Sequence, residues 1–234
     1  MSSKNNKKVI IIMGAPGSGK GTQSELVSDK LNLYYLETAK MIESNIMKIR
    51  GNETVIIKGK KYSLKQEKTN WETGILNSPL MVAFWMKEKI KQLADEGKSL
   101  ILAGSPRTIP EAKEIIPFLK KLYGIRNIKV VLLDINAKES IFRNSHRKIC
   151  ELARHPILYS KETNKLKFCP LDGSKLLKRK GLDDPKTIMV RLKQYKDRTL
   201  PVISYLKKQG ISVKKINGSP APAIVFKNIL KALK

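Results

Sequence analysis

Cysteine is scarce in this chain of 234 residues: Cys150 and Cys169 are the whole supply. Two thiols exclude a disulfide framework and point to a reducing compartment. Long hydrophobic runs are lacking too; the longest, such as Val9 to Met13, are far too short to span a bilayer. The first residues, Met1 to Lys8, carry no secretory hydrophobic region. The expectation is a cytoplasmic protein with no membrane partner. Acidic residues are few, 20 against 47 Lys and Arg, for a formal net charge of +27. Within that excess arginine is itself rare, nine residues against 38 lysines. Groups that read bases or clamp phosphates favour the planar arginine fork. The lysines therefore read as a solvated surface that meets nucleic acid only non-specifically, as any polyanion in low salt. What the chain does have is apolar material: 41% hydrophobic residues exclude a disordered tail. Its length suits one sizeable α/β domain with small insertions.

Lys7 to Met13 is a β-branched run without alternation, the pattern of a strand buried on both faces. Further short strands are expected at Leu33–Leu36, Ser99–Ala103, Ile128–Ile135 and Ile211–Ile216. Helical patterns cover Lys20–Leu31, Pro79–Glu96, Pro110–Tyr123, Ala137–Lys148, Pro185–Gln209 and Ala221–Leu233. Several open with proline in the first turn, where its missing N–H costs nothing. Alternation of strand and helix predicts a parallel, doubly wound sheet. Two stretches break the rhythm. Asn52–Thr73 is polar and lysine-rich, with a small hairpin expected around Lys58-Gly59-Lys60. Glu151–Gly181 lacks helical period. Long irregular segments in a compact domain are usually functional lids or disordered insertions, and both are lid candidates.

The chemistry concentrates between the first strand and the first helix, in Gly14, Ala15, Pro16, Gly17, Ser18, Gly19 and Lys20, followed by Gly21 and Thr22. Glycines there let backbone N–H groups turn inward around phosphate oxygens, and the helix N-terminus adds its positive end. Lys20 is placed to reach the terminal phosphates of a nucleotide. Gly21 stands where a phosphate loop of this kind usually has the Ser or Thr that holds Mg²⁺. With Gly21, Thr22 and Gln23 the loop resembles that of adenylate kinases and related nucleoside monophosphate kinases. Gly104-Ser-Pro-Arg107-Thr108 resembles the family's Gly-Phe-Pro-Arg-Thr segment, whose arginine grips the acceptor phosphate. Thr38 and Leu76 fall on its monophosphate-binding insertion, Arg143 and Arg147 on the hinge into its lid, and Arg191 beyond the lid's exit at Asp183-Asp184. Asn217-Gly218 resembles the family's Asp-Gly near the C-terminus. The resemblance covers essentially the whole chain. It implies a P-loop kinase core of residues 1–36, 97–147 and 183–234 with a five-stranded parallel sheet, a monophosphate-binding insertion at 37–96, and a lid at 148–182. It also implies a monomer that moves the γ-phosphoryl group of ATP, with Mg²⁺, to a nucleoside monophosphate. Lys20, Arg107, Arg143, Arg147 and Arg191 then supply the positive charge for transfer, and Arg143 also belongs to the ATP site.

The chain departs from the family at several places. Glu43 lies where the family has a second arginine for the acceptor phosphate. Lys40 replaces an Asp, Ala103 replaces the Asp that helps hold hydrated Mg²⁺, and Glu111 replaces a Gln that pairs with adenine. An ionised Glu can only accept hydrogen bonds, so Glu111 is expected to weaken strict AMP selectivity and favour guanine, whose facing edge donates. In the lid, Cys150, Cys169 and Asp172 match three of the four ligands of the family's metal-bearing form, and His155 is the nearby replacement for the fourth. Zinc in a structural site wants four ligands, so a lid held by packing and hydrogen bonds is favoured over a zinc lid. Against the leading reading of an adenylate-type kinase stand a monophosphate kinase of altered base preference and a catalytically impaired nucleotide-binding protein with a polyanion-binding surface. Shikimate- and gluconate-type kinases share the loop but lack the long lid.

Overall fold

The computed structural model describes residues 7–178 and 183–234. The N-terminal residues 1–6 and the expected end of the lid, 179–182, lie outside the described residues. The first strand, β1, runs Val9–Gly14 with all six residues buried. It leads through the glycine loop into α1, Lys20–Leu31, which ends where Asn32 turns left-handed at φ 50°. The Leu33 N–H then bonds back to Ser28 O, which delays β2 to Tyr34–Glu37, one residue later than the sequence predicts.

The polar stretch that reads as irregular holds regular structure. After α2, Thr38–Ile46, the hairpin expected around Lys58-Gly59-Lys60 forms as β3, Thr54–Ile57, and β4, Lys60–Ser63. Helix α3, Leu64–Thr73, follows, with Ser63 Oγ accepting from the Gln66 N–H as its N-cap. Periodicity misses α3 because Glu67 is its one buried residue. The Ser63-x-x-Gln66 spacing is a capping-box signal all the same. Helix α4 spans Pro79–Asp95 and feeds β5, Leu100–Ala103. Next come α5, Ile109–Tyr123, β6, Ile128–Asp134, and α6, Ala137–Ser145.

The segment expected to form a lid carries a small antiparallel sheet in which β7, Lys148–Cys150, pairs with β8, Pro156–Ile157, and β9, Leu176–Leu177. The long helix expected at Pro185–Gln209 is α7, Pro185–Gln194, one wider π turn over Tyr195–Thr199, and α8, Leu200–Lys208. Pro201 has no N–H to give to the preceding turn, and a wide turn accommodates that loss. The chain ends with β10, Val213–Asn217, and α9, Pro222–Leu233.

The main sheet has the order β10-β6-β1-β5-β2 and is parallel throughout. Alternate residues of β1 serve two cores. Val9, Ile11 and Met13 pack with Met86, Ile115 and Leu206 from α4, α5 and α8. Ile10 and Ile12 pack with Val27 of α1 and Val225 of α9. Each such side chain, fully buried, contributes roughly 1.5–3 kcal/mol. Among the described residues no helix is long and apolar enough to cross a membrane.

Candidate functional site

Neighbouring strands β1 and β5 pair Ile12 with Ala103, so the loops that leave their C-terminal ends open side by side. In open parallel sheets this edge is where ligands bind. The first loop is tight. A Cβ on Gly14 would lie 2.5 Å from Ser18 Oγ and 2.6 Å from Leu133 O, and its φ is +153°. Gly19 caps α1 in a left-handed conformation at φ 89°. Ala15 is buried, Gly17 and Ser18 complete the turn, and Gly21 and Thr22 begin α1. Lys20 Nζ donates to Gly14 O at 2.9 Å and Ala15 O at 2.8 Å, folding the ammonium over the loop. From outside, Ser140 Oγ of α6 donates to Pro16 O at 2.6 Å.

The second loop, Gly104–Arg107, is held from behind. Gly104 has φ +88°, and a Cβ there would fall 2.6 Å from an Arg107 guanidinium nitrogen. Arg107 Nε donates to Gly104 O. Glu111, on the first turn of α5, is 3% exposed. Its carboxylate accepts from Ser105 Oγ and, at 3.0 Å, from the Arg107 N–H. Burial lowers the Arg107 pKa from its ordinary value, opposed by the carboxylates of Glu111 and Glu37. Burial likewise raises that of Glu111, opposed by its bonds from Ser105 and Arg107 and by the charges of Arg107 and Arg198.

Between the loops lies an open cleft. Its lining brings together nine of the residues singled out in the sequence: Gly14, Pro16 and Lys20 from the first loop, Gly104, Arg107 and Glu111 from the second, Thr38 and Leu76 from the expected insertion, and Arg191 from α7. Thr38 is fully buried at the first position of α2. Gly74, at the end of α3, sits where a Cβ would be 3.1 Å from Arg191 Cγ, so the insertion and α7 touch beside the cleft. Trp71, Asn77, Gln194 and Tyr195 also line it, and sequence reasoning missed all four. Asn77 Nδ2 donates to Glu67 Oε2 at 2.9 Å, a buried pair that fixes the insertion's wall. No local pattern announces such a contact; only a buried carboxylate in a polar helix could have flagged it.

Arg143 and Arg147 do not line this cleft. Arg143 Nη1 and Nη2 donate to Gly218 O and Ser219 O at 2.9 and 2.8 Å, and Nε pairs with Glu139 at 2.6 Å. It ties α6 to the turn after β10. Arg147 forms a forked ion pair with Asp183, whose side chain is 1% exposed, joining the chain before β7 to the chain before α7. Glu43 is absent from the cleft lining. Lys40 pairs with Glu37 at 3.1 Å.

In the lid, Cys150 Sγ lies 2.9 Å from Asp172 Oδ2 and Cys169 Sγ 3.4 Å from His155 Nε2. One ligand atom from each of the four lies within 4.8 Å of every other. A tetrahedron with zinc bonds of about 2.0–2.3 Å has edges of about 3.3–3.8 Å, so small side-chain shifts would bring the four groups onto such an ion. The fourth group that the cysteine spacing lacks is His155, brought in as β8 pairs with β7 and the Cys150 N–H bonds to His155 O at 3.0 Å.

A sequence model of the adenylate kinase family matches residues 12–211. An adenylate kinase of Ruminiclostridium cellulolyticum is 31% identical over 229 residues, covering 96% of this chain and 98% of that protein. One from Methanothrix thermoacetophila is 31% identical over 231 residues, covering 96% and 97%. One from Chlamydia trachomatis serovar L2 is 31% identical over 238 residues, covering 96% and 89%.

Proposed function

The chain belongs to the adenylate kinase family, and we propose that it transfers the γ-phosphoryl group of MgATP to AMP, giving two ADP. It is a nucleoside monophosphate kinase; the choice of AMP and the residue roles are the proposal. The observation that carries them is the convergence of Lys20, Arg107 and Arg191, from three separate elements, on one cleft between two glycine-bearing loops. Phosphoryl transfer needs donor and acceptor oxygens in line and the moving charge neutralised, with little covalent help. The first loop cradles the donor phosphates by its backbone N–H groups, and Lys20 leaves its two carbonyls to meet them. Arg107 and Arg191 hold the acceptor phosphate opposite. Thr38 and Leu76 wall the acceptor nucleoside, and Arg143 braces the turn at Gly218 beside the donor base. Arg147, releasing Asp183 as the lid closes, adds charge over the phosphates while the lid excludes water.

Mg²⁺ takes oxygen ligands and keeps several waters. β5 ends in Ala103, not a carboxylate, so Mg²⁺ would be held by the nucleotide phosphates and water without a carboxylate from that position. For the lid, Cys150, His155, Cys169 and Asp172 would hold zinc, cross-linking two turns of a segment with little core of its own.

A coupled assay of the purified protein with MgATP against AMP, GMP, CMP and UMP tests the reading. ADP formation fastest with AMP supports it. Binding of both nucleotides without ADP formation would instead favour the impaired nucleotide-binding protein that Ala103 and Glu43 raise.

A further inference from the structure

Two of this chain's departures from the family pattern touch each other. Ser105 stands where the family's acceptor segment has Phe, and Glu111 stands where it has Gln. Ser105 is 1% exposed and Glu111 3% exposed, and the Ser105 hydroxyl donates to Glu111 Oε1. The other carboxylate oxygen accepts the Arg107 N–H at 3.0 Å. Glu111's own N–H goes to Thr108 Oγ1 at 3.3 Å, so the carboxylate is carried by a capped helix terminus and has little freedom. Its two oxygens thus span the loop from residue 105 to residue 107. As placed, the carboxylate accepts on both oxygens, from the Ser105 hydroxyl and from the Arg107 N–H.

We propose that Glu111 is a positioning residue: its carboxylate, held by the Ser105 hydroxyl and the Arg107 N–H, fixes the direction in which Arg107 presents its guanidinium to the acceptor phosphate, and it does not select the base. This rests on the reading of the cleft as a monophosphate site. It reverses the expectation that Glu111 discriminates guanine from adenine. One lone pair of each oxygen is committed to the loop, which holds the carboxylate toward Arg107 and leaves it only its second lone pairs for any other partner. The swap is also self-consistent. An apolar Phe gives a carboxylate nothing to bond, while a serine hydroxyl supplies the second donor that a buried charge requires.

The test measures AMP and GMP binding by calorimetry in the absence of ATP, with a non-hydrolysable ATP analogue as a control. Glu111→Ala leaves the Arg107 N–H and the Ser105 hydroxyl without an acceptor. Affinity for AMP and GMP is expected to fall by the same factor, about tenfold or more, with affinity for the ATP analogue unchanged. Glu111→Gln keeps the geometry, its amide oxygen accepting from Arg107 and its NH₂ donating to a reoriented Ser105, and should regain most of the loss. Ser105→Ala, which keeps the larger partner and spares the fold, should cost about threefold for both ligands. In the Glu111→Ala background it should cost almost nothing further. A change in the AMP-to-GMP ratio of more than a few-fold in Glu111→Gln would make Glu111 a base reader and overturn the proposal. So would a loss of less than twofold in both Ala variants. The binding measurement is separate from turnover. A wild-type protein that binds AMP but makes no ADP defeats the kinase reading and leaves the role of Glu111 to the calorimetry.

Discussion

The loops proposed as donor and acceptor sites leave adjacent strands at the same height in the sheet, and they are held in different ways. The loop at Gly14–Lys20 is held mostly by itself, through the Lys20 ammonium on two of its own carbonyls and the Ser18 N–H on Ala15 O at 3.1 Å. The loop at Gly104–Arg107 adds to its own Arg107-to-Gly104 O bond a buried side chain from the following helix, the Glu111 carboxylate. A backbone cradle needs glycines at fixed spacing, and changing them breaks it. A loop held by side chains can change its residues if the partners change together. That contrast accounts for where the departures sit: the donor loop keeps its pattern, and the acceptor side carries Ser105 and Glu111.

The largest expected effect tests the donor half. Lys20→Met should abolish turnover, a loss of about 10³-fold or more, because the ammonium is the one side-chain charge in a cradle otherwise made of backbone dipoles. Circular dichroism should be unchanged. Near-normal turnover in that variant would remove the loop from the mechanism. Next comes Arg107→Ala, expected to lower kcat/KM for AMP by about 10²–10³-fold and to leave affinity for an ATP analogue intact. If the ATP analogue weakens as much as AMP does, the two loops are not independent halves and the comparison fails.

The same contrast explains what could be read from the sequence. The five strands of the main sheet were legible as short apolar runs between turn signals, plainest in Val9–Met13 of β1 and Val130–Leu133 of β6. The donor loop was legible because its chemistry is a spacing. Helix α3 was hidden by polarity, and the π turn at Tyr195–Thr199 by a helical period that continues through it. At the site, Lys20, Arg107 and Arg191 were found from motif positions, and they do converge. Asn77, Trp71 and the Ser105–Glu111 contact escaped because each depends on a partner placed by the tertiary fold. The role of His155 as fourth member of the lid cluster depends on β8 folding back on β7.

Smaller effects separate the lid from both loops. Arg143→Ala removes two donors to the turn at Gly218 and Ser219 and should lower kcat by about tenfold, with a smaller change in AMP binding. An unchanged kcat with a raised KM would make Arg143 a uniform-binding residue. If zinc fills the lid cluster, elemental analysis should find about one ion per chain. Its removal by a strong chelator should lower the melting temperature while ATP-analogue affinity at the donor loop persists. Metal well below one per chain would leave the lid held by hydrogen bonds such as Cys150 to Asp172.

The smallest effect asks how far the donor loop depends on its outer brace. Helix α6 is capped by Asn136, whose Oδ1 accepts the Glu139 N–H at 2.8 Å. Asn136→Ala should cost about 1 kcal/mol of stability, seen as a fall of about 2–4 °C in melting temperature for a chain of this size. Yet α6 is tied to the donor side at two further points, Ser140 to Pro16 O and Arg143 to Gly218 O. Fraying its first turn should therefore leave KM for ATP unchanged. If KM for ATP rises severalfold while the melting temperature barely moves, the loop at Gly14–Lys20 is positioned from outside after all. The self-held donor cradle would then be as dependent on a neighbouring helix as the acceptor loop is on Glu111.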